Sequence, residues 1–349
     1  NASAFNRPIN TNGNSWNVSN VQNMAGMFQD ASNFNQPIDG WNTASVTSMQ
    51  VMFLQAVNFN QNIGSWNTSG GRNMSGMFNG AVSFNNDNNS SIADWNTSSV
   101  TNMEAMFFNA RAFNQPIGNW NTSQVANMSN MFNGATNFNR PIGNWITTQV
   151  TNMSSMFAGA TNFNQQITRT HFSWNTLNVT SMHGMFLAAV SFNQFIGNWN
   201  TWNVRDMSHM FNNAVSFNQN ISNWNTSRVT NMNFMFVSAR DFNQFIGHWN
   251  TENVTSMSMM FESTTNFNNG AQRATVNGSI QMIWNFRSLR GNGNQFMFQN
   301  ATGFNTNISN WNIPVDRLSS GGYAFRRNNG MLENFVPPNI RNFAPHGGR

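Results

Sequence analysis

The 349-residue sequence contains no cysteine, which excludes disulfides, thiolate zinc sites and cysteine nucleophiles. It contains no lysine, so all 16 basic residues are arginine. Charged residues make up 8% of the chain, against about 25% in an average soluble domain. No run of 18 apolar residues occurs, so no helical membrane span is expected. No secretory leader is visible, and a chain that opens on Asn1 rather than Met leaves an upstream segment open. Disordered chains usually combine low hydrophobicity with high charge. This one has 33 Phe, 24 Met and 13 Trp, enough to bury a core, and 70 Asn fill its polar positions.

The little charge present is uneven. Residues 1–272 carry eight Arg and nine acids, a net of −1. Residues 273–349 carry eight Arg and two acids (Asp316, Glu333), a net of +6. Such asymmetry points to a contact zone for something acidic.

A repeat dominates the rest. Phe followed by Asn recurs in register twelve times from Phe5 to Phe304, Trp twelve times from Trp16 to Trp311, and Met-Phe eleven times from Met27-Phe28 to Met297-Phe298. The unit is 25 residues and reads W-N-T-S-x-V-T-N-M-S-x-M-F-x-x-A-x-x-F-N-Q-x-I-G-x. The Phe-to-Trp spacing is seven, grows to eleven at Phe5, Phe84 and Phe163, and reaches 17 after Phe267. Insertions at one place in the unit map to one edge of a stack.

The spacing predicts one short helix and one short extended rung per unit. Val46, Met49, Met52, Phe53 and Ala56 share one face of a 3.6-residue period. Thr47 with Gln50 and Thr101 with Glu104 fit a capping box at its start. Pro37, Pro116 and Pro141 forbid a helix in Phe-Asn-Gln-Pro-Ile-Gly, which reads as a rung. The expected fold is an α/β repeat solenoid of about twelve turns. Its helices are wider than its rungs, so the stack is expected to curve. The solenoid spans 1–312, with an irregular insertion at about 268–294, and 313–349 forms a basic, non-repeating C-terminal cap or docking segment.

The pattern W-N-T-S-x-V-T-N-M-S-x-M-F-x-G-A-x-x-F-N-Q-P-I-G-N-W, closely matched by Asn121–Trp145, resembles the BspA-type leucine-rich-repeat surface proteins, first catalogued as a mycoplasma surface repeat. The resemblance covers about 1–312 and implies a leucine-rich-repeat-like solenoid on secreted or surface proteins. Adhesion is the role most often proposed for that family, which has no general biochemical function. The chain departs from the pattern at 268–294, at Gly70-Gly71 and beyond 312.

Several columns carry competing readings. The Met columns (Met24 and Met27 through Met257 and Met260) offer thioethers of the kind that bind Cu(I), yet they share a face with Val, Phe and Ala, which favours core packing. The Trp column reads as packing before sugar stacking. The Asn columns read as ladders that bond their neighbours. The most irregular stretch, 169–250, holds His171, His183, His209 and His248, the extra Trp202, Phe195 and Phe245 where other units carry Pro or Asn, and Arg205 and Arg228. Phe195, Trp202, Arg205, Arg228 and Phe245 are the candidate binding patch, since exposed aromatics with Arg suit binding hot spots. A metal site at His183 and His209 is disfavoured, since no Cys or carboxylate cluster joins them.

No nucleophile–base pairing or phosphate-cradling glycine motif appears, so no enzyme and no cofactor are expected. The neutral repeat body argues against nucleic acid. The expected function is adhesion or recognition of a protein or glycan, outside the cell or on its surface. One alternative is a subunit assembling head to tail into a filament or surface layer, because Asn1–Phe5 begins mid-unit without a cap. Another is ice binding through Thr43, Thr68, Thr97 and Thr122. In the C-terminal segment, Arg326, Arg327 and Arg341 are the expected contact with an acidic partner.

Overall fold

Each repeat of about 25 residues closes one coil of chain, and within each unit the same backbone bonds join neighbouring coils. The computed structural model describes residues 2–9, 16–167, 174–270, 284–290, 293, 296–304 and 306. They fall into two units, 1–178 and 179–349, each described by itself. In the first, the N–H groups of Met24, Gly26, Phe28 and Asp30 donate to the carbonyls of Ser48, Gln50, Met52 and Leu54 at 2.7–3.0 Å. Met49, Val51, Phe53 and Gln55 repeat this toward Asn73, Ser75, Met77 and Asn79. In the second unit, Met182, Gly184, Phe186 and Ala188 donate to Asp206, Ser208, Met210 and Asn212. One residue per coil forms an isolated parallel bridge: Asn23, Ser48, Asn73, Asn102, Asn127 and Asn152 in the first unit, Ser181, Asp206, Asn231 and Ser256 in the second.

The expected helix is replaced by turns. Among the described residues there is no α-helix, and only Asn86–Asn88 and Ser90–Asp94 form short 3-10 turns. Between the donors to the next coil, Met27, Gln29 and Ala31 fold back onto the carbonyls of Met24, Gly26 and Phe28. Two positions per coil are left-handed: Gly26, Val51, Gly76, Ala105, Asn130 and Ser155 in one column, Asp30, Gln55, Gly80, Asn109, Gly134 and Gly159 in the other, at φ of 47–72°. A left-handed residue at every fourth position stops a helix after one turn and aims alternate N–H groups along the stack. The capping boxes are not formed either. The Thr47 and Thr101 hydroxyls donate to the carbonyls of Gln22 and Arg72 in the preceding coil. The wide helices on which the expected curvature rested are therefore not found among the described residues.

The repeating apolar residues form columns. In the first unit Phe28, Phe53, Phe78, Phe107, Phe132 and Phe157 stack at 5.4–5.7 Å, beside Phe34, Phe59, Phe84, Phe113, Phe138 and Phe163 at 5.8–6.1 Å. The second unit repeats both columns from Phe186 and Phe192. Burying one such ring contributes about 1.5–3 kcal/mol, so each coil adds two rings, a Trp and usually two Met. From Met49 to Met257 and Met52 to Met260 the Met columns lie wholly within this core. From Trp41 to Trp284 the Trp column is buried too, and eight of its indoles donate to Ile carbonyls of the preceding coil, as Trp66 Nε1 does to Ile38 at 3.0 Å. Between Trp41 and Trp284 it is a core ladder with no face for a sugar, while Trp16 at its start is exposed.

The polar columns join the coils. Asn35 Oδ1 accepts from Asn60 N at 2.9 Å and from Gln61 Nε2 at 3.0 Å, and the same pair recurs at Asn85, Asn193 and Asn218. Where the insertion after Phe84 interrupts the pattern, Asn86 is buried and its Oδ1 accepts from Ile63 N at 2.8 Å, which ties the longer loop down. Asn86, Asp87 and Asn88 there are left-handed in succession, a conformation these residue types tolerate best after glycine. The Thr column expected to face ice does not face solvent. Thr43, Thr68, Thr97 and Thr122 are at most 1% exposed, and each hydroxyl donates to a carbonyl of the next coil. The ice-binding expectation fails on this point.

Candidate functional site

The core and inter-coil bonds consume the repeated residues, which leaves the variable ones as the candidate surface. The turn after each Trp exposes the third, fourth and sixth residues. It is fixed by the Asn next to Trp, whose Oδ1 accepts from the N–H two residues on at 2.9–3.1 Å in ten of the eleven described coils. Ile146 breaks the series and is exposed.

In the second unit these turns carry four arginines. Arg205 and Arg290 are sixth residues after Trp199 and Trp284, Arg228 is the fourth after Trp224, and Arg287 is the third after Trp284. Together with Thr230, Asn253 and Thr255 they line an open groove of about 960 Å³ along the edge of the coils, and no carboxylate lines it among the described residues. Thr230 and Thr255 occupy the same column as Arg205 and Arg290, so the floor reads Arg-Thr-Thr-Arg along the stack. The threonine hydroxyls donate to the carbonyls of Arg205 and Thr230 in the preceding coils, which fixes that floor. Arg228 is pinned at its head. Its Nη1 donates to Asn203 Oδ1 at 2.6 Å, and its guanidinium lies 4.9 Å from the centre of the Trp202 ring. Trp202 remains 45% exposed beside it. In the first unit the corresponding sixth residues are Gln22, Thr47, Arg72, Thr101, Ala126 and Thr151, with one cation among them.

The structure brings together three of the residues singled out in the sequence, Trp202, Arg205 and Arg228. Phe195 and Phe245 do not line the groove. Phe195 is 47% exposed, and Phe245 is half-buried with its ring edge-on to His248 at 4.6 Å. Arg287 and Arg290 were missed, because the 17-residue spacing before Trp284 hides that they fall in register with Trp202 and Arg205. Arg326, Arg327 and Arg341, all of 313–349, and residues 271–283 of the irregular insertion lie outside the described residues.

The histidine pair lies elsewhere. His183 and His209 have ring centres 5.5 Å apart. His183 Nδ1 is 2.8 Å from Ser208 Oγ, which donates to Asp206 Oδ1 at 2.6 Å. The carboxylate thus holds the hydroxyl rather than the imidazole, the reverse of a base-activated serine, and Ser208 is buried. Burial, with the neighbouring His183 second, holds His209 below the usual value of 6.5, while Asp206 pulls it up to a lesser extent.

Among curated proteins none matches this chain. A family model described as "Mycoplasma protein of unknown function, DUF285" matches four times in tandem, over residues 1–91, 87–173, 168–274 and 271–329. These matches span nearly the whole sequence and begin anew along the repeats, and the chain belongs to this family of mycoplasma-type repeat proteins.

Proposed function

We propose that this repeat protein is a non-catalytic recognition module of solenoid build, acting outside the cell or on its surface and binding its partner through the arginine-lined edge of the second unit. The observation that carries this reading is the groove itself: four arginines on three of four successive turns, with no acid among the described residues that line it and an exposed tryptophan beside one of them. Variable side chains on a fixed stack are the usual binding device of repeat proteins. Trp and Arg are the residues most enriched in binding hot spots. The leucine-rich-repeat likeness supports a surface role by analogy alone. Head-to-tail assembly and the contact assigned to Arg326, Arg327 and Arg341 rest on the sequence alone.

The test is attachment of purified, labelled protein to intact cells. Wild type should bind saturably, and an Arg205→Gln/Arg228→Gln/Arg287→Gln/Arg290→Gln variant should lose most of the signal with unchanged folding. Equal attachment by both proteins overturns the assignment to this groove.

A further inference from the structure

The groove runs along the stacking direction and spreads its arginines over four coils, with Arg205 on the first, Arg228 on the second, and Arg287 and Arg290 together on the fourth. Ring stacks in this unit advance by 5.5 Å at Phe211–Phe236 and 6.3 Å at Trp224–Trp249. Arg205 and Arg290 are three coils apart, which is about 15 Å at the spacing of paired parallel chains. Arg228 stands on the coil after that of Arg205, and Arg287 shares the turn of Arg290. Cations spread over this length suit an extended chain carrying several anionic groups more than a single compact anion.

We infer that the groove binds a linear acidic polysaccharide, its carboxylates on the four arginines and a sugar face against Trp202. The inference rests on the recognition reading above. Arg presents a planar fork that takes a carboxylate through two parallel hydrogen bonds. The Thr230 and Thr255 oxygens, whose protons are already committed, can accept from sugar hydroxyls. Trp202 adds an apolar plate that a sugar's C–H face covers and a bare polyanion does not use. Nucleic acid fits less well. Residues 179–304 carry six Arg and four acids, whereas nucleic-acid binders carry a more strongly basic stripe and add a series of stacking aromatics. Glu252 stands one coil before Arg287 in the same column and is exposed. It weakens the field at that end of the site.

The full chain is titrated with polygalacturonate, dextran sulfate, neutral dextran, poly-glutamate and single-stranded DNA. Polygalacturonate should bind tightest, neutral dextran not at all, and affinity should fall by about three orders of magnitude per tenfold rise in salt. Arg205→Gln/Arg290→Gln should weaken polygalacturonate at least tenfold and lower the salt slope by about two. Trp202→Ala should weaken polygalacturonate several-fold and leave poly-glutamate unchanged, and Glu252→Gln should tighten polygalacturonate. Circular dichroism confirms that each variant folds. Dextran sulfate tightest instead would retain a polysaccharide but overturn its carboxylate chemistry. Equal affinity for poly-glutamate or DNA, or a Trp202→Ala effect on every polyanion alike, overturns the polysaccharide. If no polymer binds while cell attachment still depends on the four arginines, this inference falls and the recognition reading stands.

Discussion

Replacing Asn218 with Ala isolates the bond type that joins coils. Asn218 Oδ1 accepts from Asn243 N at 2.9 Å and from Gln244 Nε2 at 2.8 Å, both in the next coil. After truncation the Gln244 amide keeps the Asn218 carbonyl at 3.0 Å, but the half-buried Asn243 N–H loses its side-chain acceptor. An unsatisfied buried donor costs about 1–3 kcal/mol and partial access of water trims this, so the expected loss is about 2 kcal/mol. The matched control is Asn225→Ala. It also removes two bonds, from Ser227 N at 3.0 Å and Ser227 Oγ at 2.7 Å, but both donors sit in the same exposed turn and water replaces the acceptor, so the loss should stay below about 1 kcal/mol. Asn218→Asp keeps the acceptor and should recover most of the difference at neutral pH. Urea unfolding followed by tryptophan fluorescence reads all three. If Asn218→Ala is no worse than Asn225→Ala, or Asn218→Asp is as poor as Asn218→Ala, the side-chain ladder does not hold the coils together.

Three further outcomes follow from single sites. Ile146→Asn restores the missing turn bond and removes an exposed apolar side chain, so it should raise stability by about 0.5–1 kcal/mol in the same urea assay. Gly134 has φ +72°, and a Cβ there would collide with Asn109 Oδ1. Gly134→Ala should therefore destabilise by about 1–3 kcal/mol, part of it recovered in an Asn109→Ala background. Because His209 is held below its ordinary value of 6.5, the folded state binds fewer protons than the unfolded one as pH falls. Its contribution is intact above pH 6.5 and is lost on acidification toward the folded value. Urea midpoints at about pH 7.5 and pH 5 should differ less for His209→Asn than for wild type, and an unchanged difference would remove His209 as a cause.

The core was legible in the sequence because its columns recur in register. Phe34, Met49, Met52, Phe53 and Trp66 are buried where the repeat placed them. The place of insertion was legible too, before Trp95. The helix was misread because a chain of three-residue turns brings every third or fourth side chain inward, as a helix does. The signal against it was the recurrence of glycine at the left-handed positions, Gly26, Gly76, Gly80, Gly134, Gly159 and Gly184, with Val51, Gln55 and Phe234 masking it elsewhere. Thr47 and Thr101 looked like caps because Thr serves equally to donate to a neighbouring carbonyl. The groove was half legible. Trp202, Arg205 and Arg228 stood out as departures from the unit, while Arg287 and Arg290 require Trp284 to be aligned across a 17-residue gap before their shared edge shows.

The central claim, that recognition resides on this edge of the second unit, is tested most directly by site-specific photocrosslinking on cells. A photoreactive side chain is placed at Asn253, which lines the groove, and separately at Gln124, the exposed residue of the same column position in the first unit. Crosslinks to surface material should form from Asn253, disappear when Arg205, Arg228, Arg287 and Arg290 are changed to Gln, and be absent from Gln124. Equal crosslinking from both positions, or crosslinking from Asn253 that survives loss of the arginines, would contradict the account.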